Sequence, residues 1–177
     1  MLKIGITGGI GTGKSFVCEI FKLMNIPIYD ADSQAKRLVT ENIEIKAEIV
    51  KLLGAEAYDK FGVYNRIYVA NTIFENESLK NELNKIIHPA VQEDADRWFA
   101  KILKSQPHLP YAIKEAAILF ESNSHPGLDK IIVVDAPLSL RIQRIQKRDQ
   151  INKGQILARM KNQWPNEKKI AMADFVI

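Results

Sequence analysis

The stretch "TGGIGTGKS" at positions 7–15 constrains the fold of this 177-residue chain more than any other feature. It matches the pattern G-x-x-x-x-G-K-[ST], with Gly8, Gly13, Lys14 and Ser15 at the fixed positions. The preceding "LKIGIT" is predicted to be a buried strand, and a helix is predicted to begin at the lysine. A strand, this loop and a helix in succession are the context in which the pattern binds phosphates. The sequence therefore predicts a nucleotide-phosphate site.

The chemistry of the loop indicates which groups would bind the nucleotide. The backbone N–H groups from Gly9 to Lys14 can surround phosphates, because glycines permit close approach and positive φ angles. The N-terminus of the helix adds partial positive charge. Lys14 is expected to reach the β- and γ-phosphates of ATP, and the Ser15 hydroxyl to ligate Mg²⁺. The predicted nucleotide-binding residues of the loop are Gly8, Gly9, Gly11, Thr12, Gly13, Lys14, Ser15 and Phe16.

Other nucleotide-binding classes fit less well. A dinucleotide fingerprint fails, because Lys14 stands where its third glycine is required. A GTPase would need a guanine-reading N-K-x-D element, which the chain lacks, so "DKFG" at 59–62 is interpreted as a turn. An ATPase motor remains an alternative through Asp135 in "IIVVDAP", although the short chain leaves little room for its other parts.

The order of predicted elements is typical of a parallel α/β sheet, because parallel strands need crossover connections. We predict five strands, at 2–7, 26–30, 111–120, 130–137 and in the final "DFVI". We predict helices at 14–24, from about 31 to 39, at 43–53, and from 66 to 104 with a break at His88-Pro89, followed by basic helices. The first helix is expected to face the core with Phe16, Val17, Ile20, Phe21 and Met24. These elements predict a core at about 1–40 and 108–177, a helical insertion at about 41–107 and a lid at about 138–165.

Two carboxylates follow the second predicted strand, in "YDADS". Asp30 and Asp32 lie where this strand gives way to a helix, at the sheet edge where α/β proteins bind ligands. One could accept the proton of an acceptor hydroxyl, and the other could help to hold Mg²⁺. Alternatively, one of them caps the following helix.

Positive charge is concentrated near the C-terminus. Residues 138–169 contain nine basic and two acidic residues, whereas the whole chain has a net charge of only +4. Arg141, Arg144 and Arg148 share one face of a predicted helix, and arginine matches the geometry of phosphate oxygens. The pattern favours a cationic lid over the nucleotide. A nucleic-acid surface is the non-enzymatic alternative, but Trp164 is the segment's one aromatic residue.

Composition indicates a globular cytoplasmic protein with no membrane partner. Hydrophobic residues make up 46% of the chain, and no apolar run approaches the roughly 20 residues of a membrane span. The N-terminus is too short before the loop to be a signal peptide. A lone cysteine, Cys18, fits a reducing compartment.

Six motifs together resemble the dephospho-CoA kinase family, over essentially the whole chain. They are "GITGGIGTGKS", "YDADSQAKRLV", "LNKIIHPAV", "LFE" at 119–121, "KIIVVDAP" and "RIQKRD". The resemblance implies a P-loop kinase core with a helical CoA-binding domain and a lid. The implied activity is ATP- and Mg²⁺-dependent phosphorylation of the 3′-hydroxyl of dephospho-CoA, the last step of coenzyme A synthesis.

The resemblance also implies roles for individual residues. Asp32 matches the proposed general base, and Arg148 the lid arginine, with Lys14 as the third catalytic residue. Arg66 and His88 match motif positions on the acceptor side, and Ser15 matches an ATP/Mg²⁺ residue. Asp32 and Glu121 are further expected on the acceptor side. From their own positions in the sequence, Asp30 is expected to help hold Mg²⁺, and Arg141 and Arg144 to bind the nucleotide. A small-molecule substrate, no nucleic-acid partner and a monomer or weak homo-oligomer are expected.

The chain departs from the family pattern at two motif positions and at its end. Ala117 stands where the family usually has proline, and Phe16 where it often has a small hydroxylated residue. The sequence also ends before the family's usual C-terminal helix. A kinase for another nucleoside or nucleotide is the alternative, since the loop, Asp32 and the lid do not by themselves determine which acceptor is phosphorylated.

Overall fold

The computed structural model of the chain describes residues 1–74 and 76–177. In chain order these residues form β1 (Leu2–Thr7), α1 (Lys14–Leu23), β2 (Ile28–Asp30), α2 (Ala31–Glu41), α3 (Ile43–Leu53), α4 (Arg66–Phe74), α5 (Glu77–Ser105), β3 (Tyr111–Glu115), β4 (Lys130–Val133), α6 (Leu138–Asp149), α7 (Lys153–Lys161), α8 (Asn166–Ile170) and β5 (Phe175–Val176). A short 3₁₀ turn, Ala55–Ala57, lies between α3 and α4.

The five strands form one parallel sheet in the order β2-β3-β1-β4-β5, which confirms the predicted sheet. Strand β1 lies at its centre, between β3 and β4. Because all strands run the same way, their carboxyl ends meet at one edge, where α/β proteins bind ligands. Asp30 and Glu115 are register partners at this edge. Residues 8–13, here called the phosphate loop, follow Thr7 at the end of β1 beside them.

Contacts divide the chain into two compact units, the first comprising Met1–Asp30 and Trp98–Ile177. This unit contains the whole sheet and is here called the sheet unit. Its core cluster consists of Ile4, Ile6, Cys18, Ile26, Ile113, Ile132 and Val134. These are mainly β-branched residues on central strands, which suits strands covered on both faces.

The face that helix α1 packs against the core overlaps only in part with the predicted one, since Val17 and Phe21 do contact the core cluster. Phe16, Ile20 and Met24 are 72%, 45% and 59% exposed, so their predicted core role is wrong. Cys18 is buried instead, and Val17 and Phe21 pack against the same core cluster. The buried stripe of the helix is therefore shifted toward Cys18 relative to the predicted one.

The second compact unit, Ala31–Arg97, is helical and is here called the helical unit. It begins about ten residues earlier than the predicted insertion. Its α3 has the predicted bounds: the Asn42 side chain accepts hydrogen bonds from two N–H groups at its start, and Gly54 follows its last residue. The Tyr58 hydroxyl donates to the Val39 carbonyl oxygen at 2.7 Å within this unit.

The "DKFG" segment is a turn, as predicted. The Asp59 side chain accepts hydrogen bonds from the N–H groups of Phe61 and Val63, each at 2.9 Å. Gly62 takes a φ of 76°, which favours glycine. The aspartate is therefore used to close a loop.

Several predicted element boundaries are wrong. The fourth strand ends at Val133 and not at 137, and the helix predicted at 66–104 is divided into α4 and α5. Helix α5 continues through Pro89 without a break. A single missing N–H in a helix of 29 residues removes one hydrogen bond, and the neighbouring turns hold the helix together. Strand β3 ends at Glu115 instead of continuing to Phe120, because the apolar residues beyond it turn away from the sheet to pack in the core.

We expect Pro89→Ala to raise the free energy of unfolding by about 1 kcal/mol, since the new N–H can donate within the helix. Urea denaturation of the full chain measures this. Ala100→Pro, at an exposed position of α5, should lower it by about 3 kcal/mol. Destabilisation by Pro89→Ala would mean that the proline ring is needed for packing.

Candidate active site

The phosphate loop occupies the interval between β1 and α1, as predicted. Gly11 and Gly13 have φ angles of 84° and 103°, in the left-handed region that favours glycine. A Cβ atom on Gly8 would lie only 2.6 Å from the Val134 carbonyl oxygen, so this position must be glycine for the loop to pack on β4's end. The N–H groups of the first turn of α1 have no partner within the helix and are available to an anion.

Lys14 forms an ion pair with Glu115, the last residue of β3. Both side chains are nearly buried, with 12% and 10% of their surface exposed. Burial and the neighbouring Glu115 carboxylate raise the pKa of the Cys18 thiol to about 12, so the thiol stays protonated. Sequence reasoning missed Glu115, although an acidic residue at the end of a buried strand is a usable signal.

Two of the three predicted lid arginines contact the loop itself. The Arg141 Nε donates to the Ile10 carbonyl oxygen at 3.0 Å, and Arg144 donates to the Thr12 carbonyl oxygen at 2.9 Å. They are the fourth and seventh of the twelve residues of α6. They therefore bring positive charge to the loop by holding its backbone carbonyls.

Arg148, predicted to be catalytic, is paired with the neighbouring Asp149. Its guanidinium donates twice to the carboxylate of Asp149, at 2.7 and 3.1 Å, and Arg159 donates to the same carboxylate at 2.7 Å. The Asp149 carboxylate raises the pKa of Arg148, and the two arginines lower the pKa of Asp149. This exposed cluster joins α6 to α7.

Two side chains that sequence reasoning missed accept hydrogen bonds from the loop. Asn166 Oδ1 accepts the N–H of Gly9 at 2.9 Å, and Gln163 Oε1 accepts the N–H of Ile10 at 2.8 Å. In this structure the N–H groups of Gly9 and Ile10, two of those predicted to surround phosphates, thus already have side-chain partners. No local sequence pattern points to them, since they lie about 150 residues further along the chain.

The segment that carries these amides is fixed by a buried ion pair. Lys169, with 0% of its side chain exposed, lies 2.8 Å from Glu121 and donates to the Ala117 carbonyl oxygen at 2.9 Å. Glu121 Oε1 also accepts the N–H of Trp164 at 2.9 Å. Glu121, predicted on the acceptor side, thus lies behind the loop in the sheet unit.

The predicted acceptor-side residues otherwise belong to the helical unit. Strand β2 ends at Asp30 and helix α2 begins at Ala31. Asp32 follows in the first turn of this helix and is exposed. Arg66 is the first residue of α4 and is exposed, and His88 lies half-buried within α5. Asp30 and Ser15 remain in the sheet unit, at the end of β2 and in the first turn of α1.

Comparison with known proteins identifies the family. A sequence model of the family described as dephospho-CoA kinase matches residues 2–177. The chain belongs to the dephospho-CoA kinase family. It is 36% identical to the dephospho-CoA kinase of Bacteroides fragilis, over 99% of this chain and 83% of that protein. It is also 36% identical to that of Salinibacter ruber, over 100% of this chain and 88% of that protein.

Solved structures agree with this assignment. The chain resembles a crystal structure of a Thermus thermophilus protein with a TM-score of 0.84 and 30% identity, over 99% of this chain and 86% of that one. A dephospho-CoA kinase from Campylobacter jejuni gives a TM-score of 0.71 at 26% identity, with the same coverage. A shikimate kinase from Acinetobacter baumannii shares the fold, with a TM-score of 0.52 at 15% identity. The chain is therefore a kinase of the P-loop class.

Two features of residues 1–74 and 76–177 bear on other classes of site. Over these ranges no helix is sufficiently long and apolar to cross a membrane. The same ranges contain no group of three or more histidine, cysteine or acidic side chains that could together hold a metal ion. A magnesium ion bound largely by phosphates and water needs no such cluster.

We expect Lys14→Met to lower the free energy of unfolding by about 3 kcal/mol, because it leaves the nearly buried Glu115 carboxylate unpaired. Adding Glu115→Gln should recover most of this loss in urea denaturation. Lys22→Met breaks an exposed pair with Glu19 and should change stability by less than about 0.5 kcal/mol. Equal losses in the single and double variants would contradict the pairing.

Burial lowers the pKa of His88 below its ordinary value of 6.5. His88 therefore binds a proton more readily in the unfolded chain than in the folded one. Because protonation favours the unfolded chain, the free energy of unfolding decreases as the pH falls below about 6.5. We expect the free energy of unfolding of the wild type to fall from pH 7.5 to 5.5 more steeply than that of His88→Gln. Parallel curves would show that His88 titrates as it does in the unfolded chain.

Proposed function

We propose that this kinase transfers the γ-phosphate of ATP to the 3′-hydroxyl of dephospho-CoA, the last step of coenzyme A synthesis. The observation that carries the proposal is the loop geometry. Two glycines with left-handed backbone conformation, Gly11 and Gly13, precede a helix whose first residue is Lys14. The family model matches residues 2–177 of the same chain. The loop indicates the phosphate-binding site, and membership of the family indicates which acceptor is phosphorylated.

The residues present fit a magnesium nucleotide. Backbone N–H groups at the start of α1 and the Lys14 ammonium are the donors that the phosphates require. Ser15 and Asp30 offer a hydroxyl and a carboxylate, which are oxygen ligands suited to Mg²⁺. When bound, Mg²⁺ neutralises charge on the β- and γ-phosphates.

Lys14 changes partners on nucleotide binding under this proposal. In the structure its ammonium is paired with Glu115. Phosphate oxygens at the loop would compete for the same ammonium, and the flexible lysine stem allows the exchange. The ion pair thus keeps Lys14 at the mouth of the loop, where its charge can stabilise the transferred phosphoryl group.

Asp32 is the proposed general base. It accepts the proton of the ribose hydroxyl, or orients that hydroxyl for in-line attack. Its exposed position at the start of α2 leaves the carboxylate accessible to a ligand. Arg66 and His88, in the same helical unit, are proposed to bind the acceptor, while Arg148 is proposed to exchange Asp149 for phosphate oxygens.

Glu121 receives a different role from the one predicted. Its carboxylate is bound by Lys169 and by the Trp164 N–H, so we assign it to supporting the loop. A cytoplasmic location and a monomer or weak homo-oligomer complete the proposal. The buried, protonated Cys18 thiol is compatible with a reducing compartment.

The test is ADP release from Mg-ATP with dephospho-CoA, AMP, adenosine or no acceptor. We expect release that depends on dephospho-CoA, and a kcat lower by about 10²-fold or more in Asp32→Asn, with ATP binding retained. Glu48→Gln, which changes an exposed carboxylate on α3, is the matched control and should behave as wild type.

Other outcomes have distinct meanings. Turnover with AMP or adenosine but not dephospho-CoA would overturn the acceptor. Equal release without any acceptor would mean that the phosphate goes to water. Full activity in Asp32→Asn would remove the proposed base.

A further inference from the structure

The outer side of the phosphate loop is held by side chains that the proposed chemistry does not use. The peptide N–H groups of Gly9 and Ile10 donate to Asn166 and Gln163, at 2.9 and 2.8 Å. The carbonyl oxygens of Ile10 and Thr12 accept from arginines of α6. Both faces of the first loop peptides are therefore tied to the C-terminal part of the chain.

Asn166 is held in one orientation by its second partner. Its Nδ2 donates to Asp135 Oδ1 at 2.5 Å, while its Oδ1 accepts from Gly9. A backbone N–H can only donate and a carboxylate can only accept, so the amide has a single orientation that satisfies both. Asn166 is 4% exposed, which makes an unmade hydrogen bond at this position costly.

These contacts decide where the loop's donors point. The N–H groups of Gly9 and Ile10 face the two amides, and the N–H of Thr12 donates to the Gly9 carbonyl oxygen at 3.2 Å. With the first peptides held in this way, the donors at the start of α1 are left for phosphate. Because the glycines at 11 and 13 are conformationally permissive, the loop backbone does not fix its own early peptides, and the outer contacts supply this constraint.

We propose that Gln163 and Asn166 are positioning residues for the nucleotide, acting by fixing the first peptides of the phosphate loop from its outer side. They also couple the loop to the end of α7, because Gln163 lies between that helix and α8. This proposal rests on the proposed function only in taking ATP as the nucleotide. It does not depend on the acceptor.

The decisive test exchanges the hydrogen-bonding groups of Asn166 and Asp135. Asn166→Asp places two carboxylates in contact and should raise the Kd of Mg-ATP by about tenfold, measured by calorimetric titration of the full chain without acceptor. The double variant Asn166→Asp with Asp135→Asn restores one donor and one acceptor. Its Kd should return to within about threefold of wild type.

Further variants separate positioning from general structural damage. Gln163→Met keeps the side-chain length but removes the acceptor, and should raise the Kd by a few-fold, on the order of one lost hydrogen bond. Asn162→Ala changes an exposed neighbour and should leave the Kd unchanged. In steady-state assays the KM for ATP should rise in Asn166→Asp while the KM for the acceptor stays within about twofold.

Three results would overturn the proposal. They are wild-type affinity in Asn166→Asp, a double variant that binds no better than the single one, and equal increases in KM for both substrates. If circular dichroism shows that Asn166→Asp does not fold, Gln163→Met and the double variant decide the question. A wrong acceptor assignment would leave these ATP affinities unaffected, so the two proposals fail separately.

Discussion

The structure depends on how the backbone of the phosphate loop is held. A loop that presents N–H groups to an anion cannot satisfy itself, because its peptides must face the ligand and not each other. Here the early peptides are bound from outside by side chains 131 to 157 residues away in the chain. The segment from α6 to α8 therefore holds the backbone of this loop in place.

Two ion pairs of low exposure support this arrangement from the sheet edge. Lys14 with Glu115 lies at the mouth of the loop, and Lys169 with Glu121 lies behind the amides that hold it. Buried charges are tolerated when they are paired and hydrogen-bonded, and they restrict how the neighbouring groups can be arranged. One pair must open for phosphate to bind Lys14, whereas the other can remain intact through a catalytic cycle.

The arginines of α6 divide into two sets once the structure is considered. Arg141 and Arg144 hold loop carbonyls, while Arg148 is bound by Asp149 together with Arg159. Their helical spacing predicts a shared face, but residues two turns apart on one helix meet different neighbours. The first two arginines therefore join α6 to the loop, whereas the third joins α6 to α7 through Asp149.

The sequence alone determined the loop, its strand and helix, the parallel sheet and the family. These follow from local spacing and hydrophobic periodicity, which are properties of short segments. The rotation of α1, the continuity of α5 through Pro89, and the partners of Lys14 and Gly9 were decided only by the tertiary structure. Each of these depends on which distant residues a segment meets, and side chains such as Glu115 and Asn166 acquire their roles only when the folded sheet and the C-terminal helices bring them to the loop.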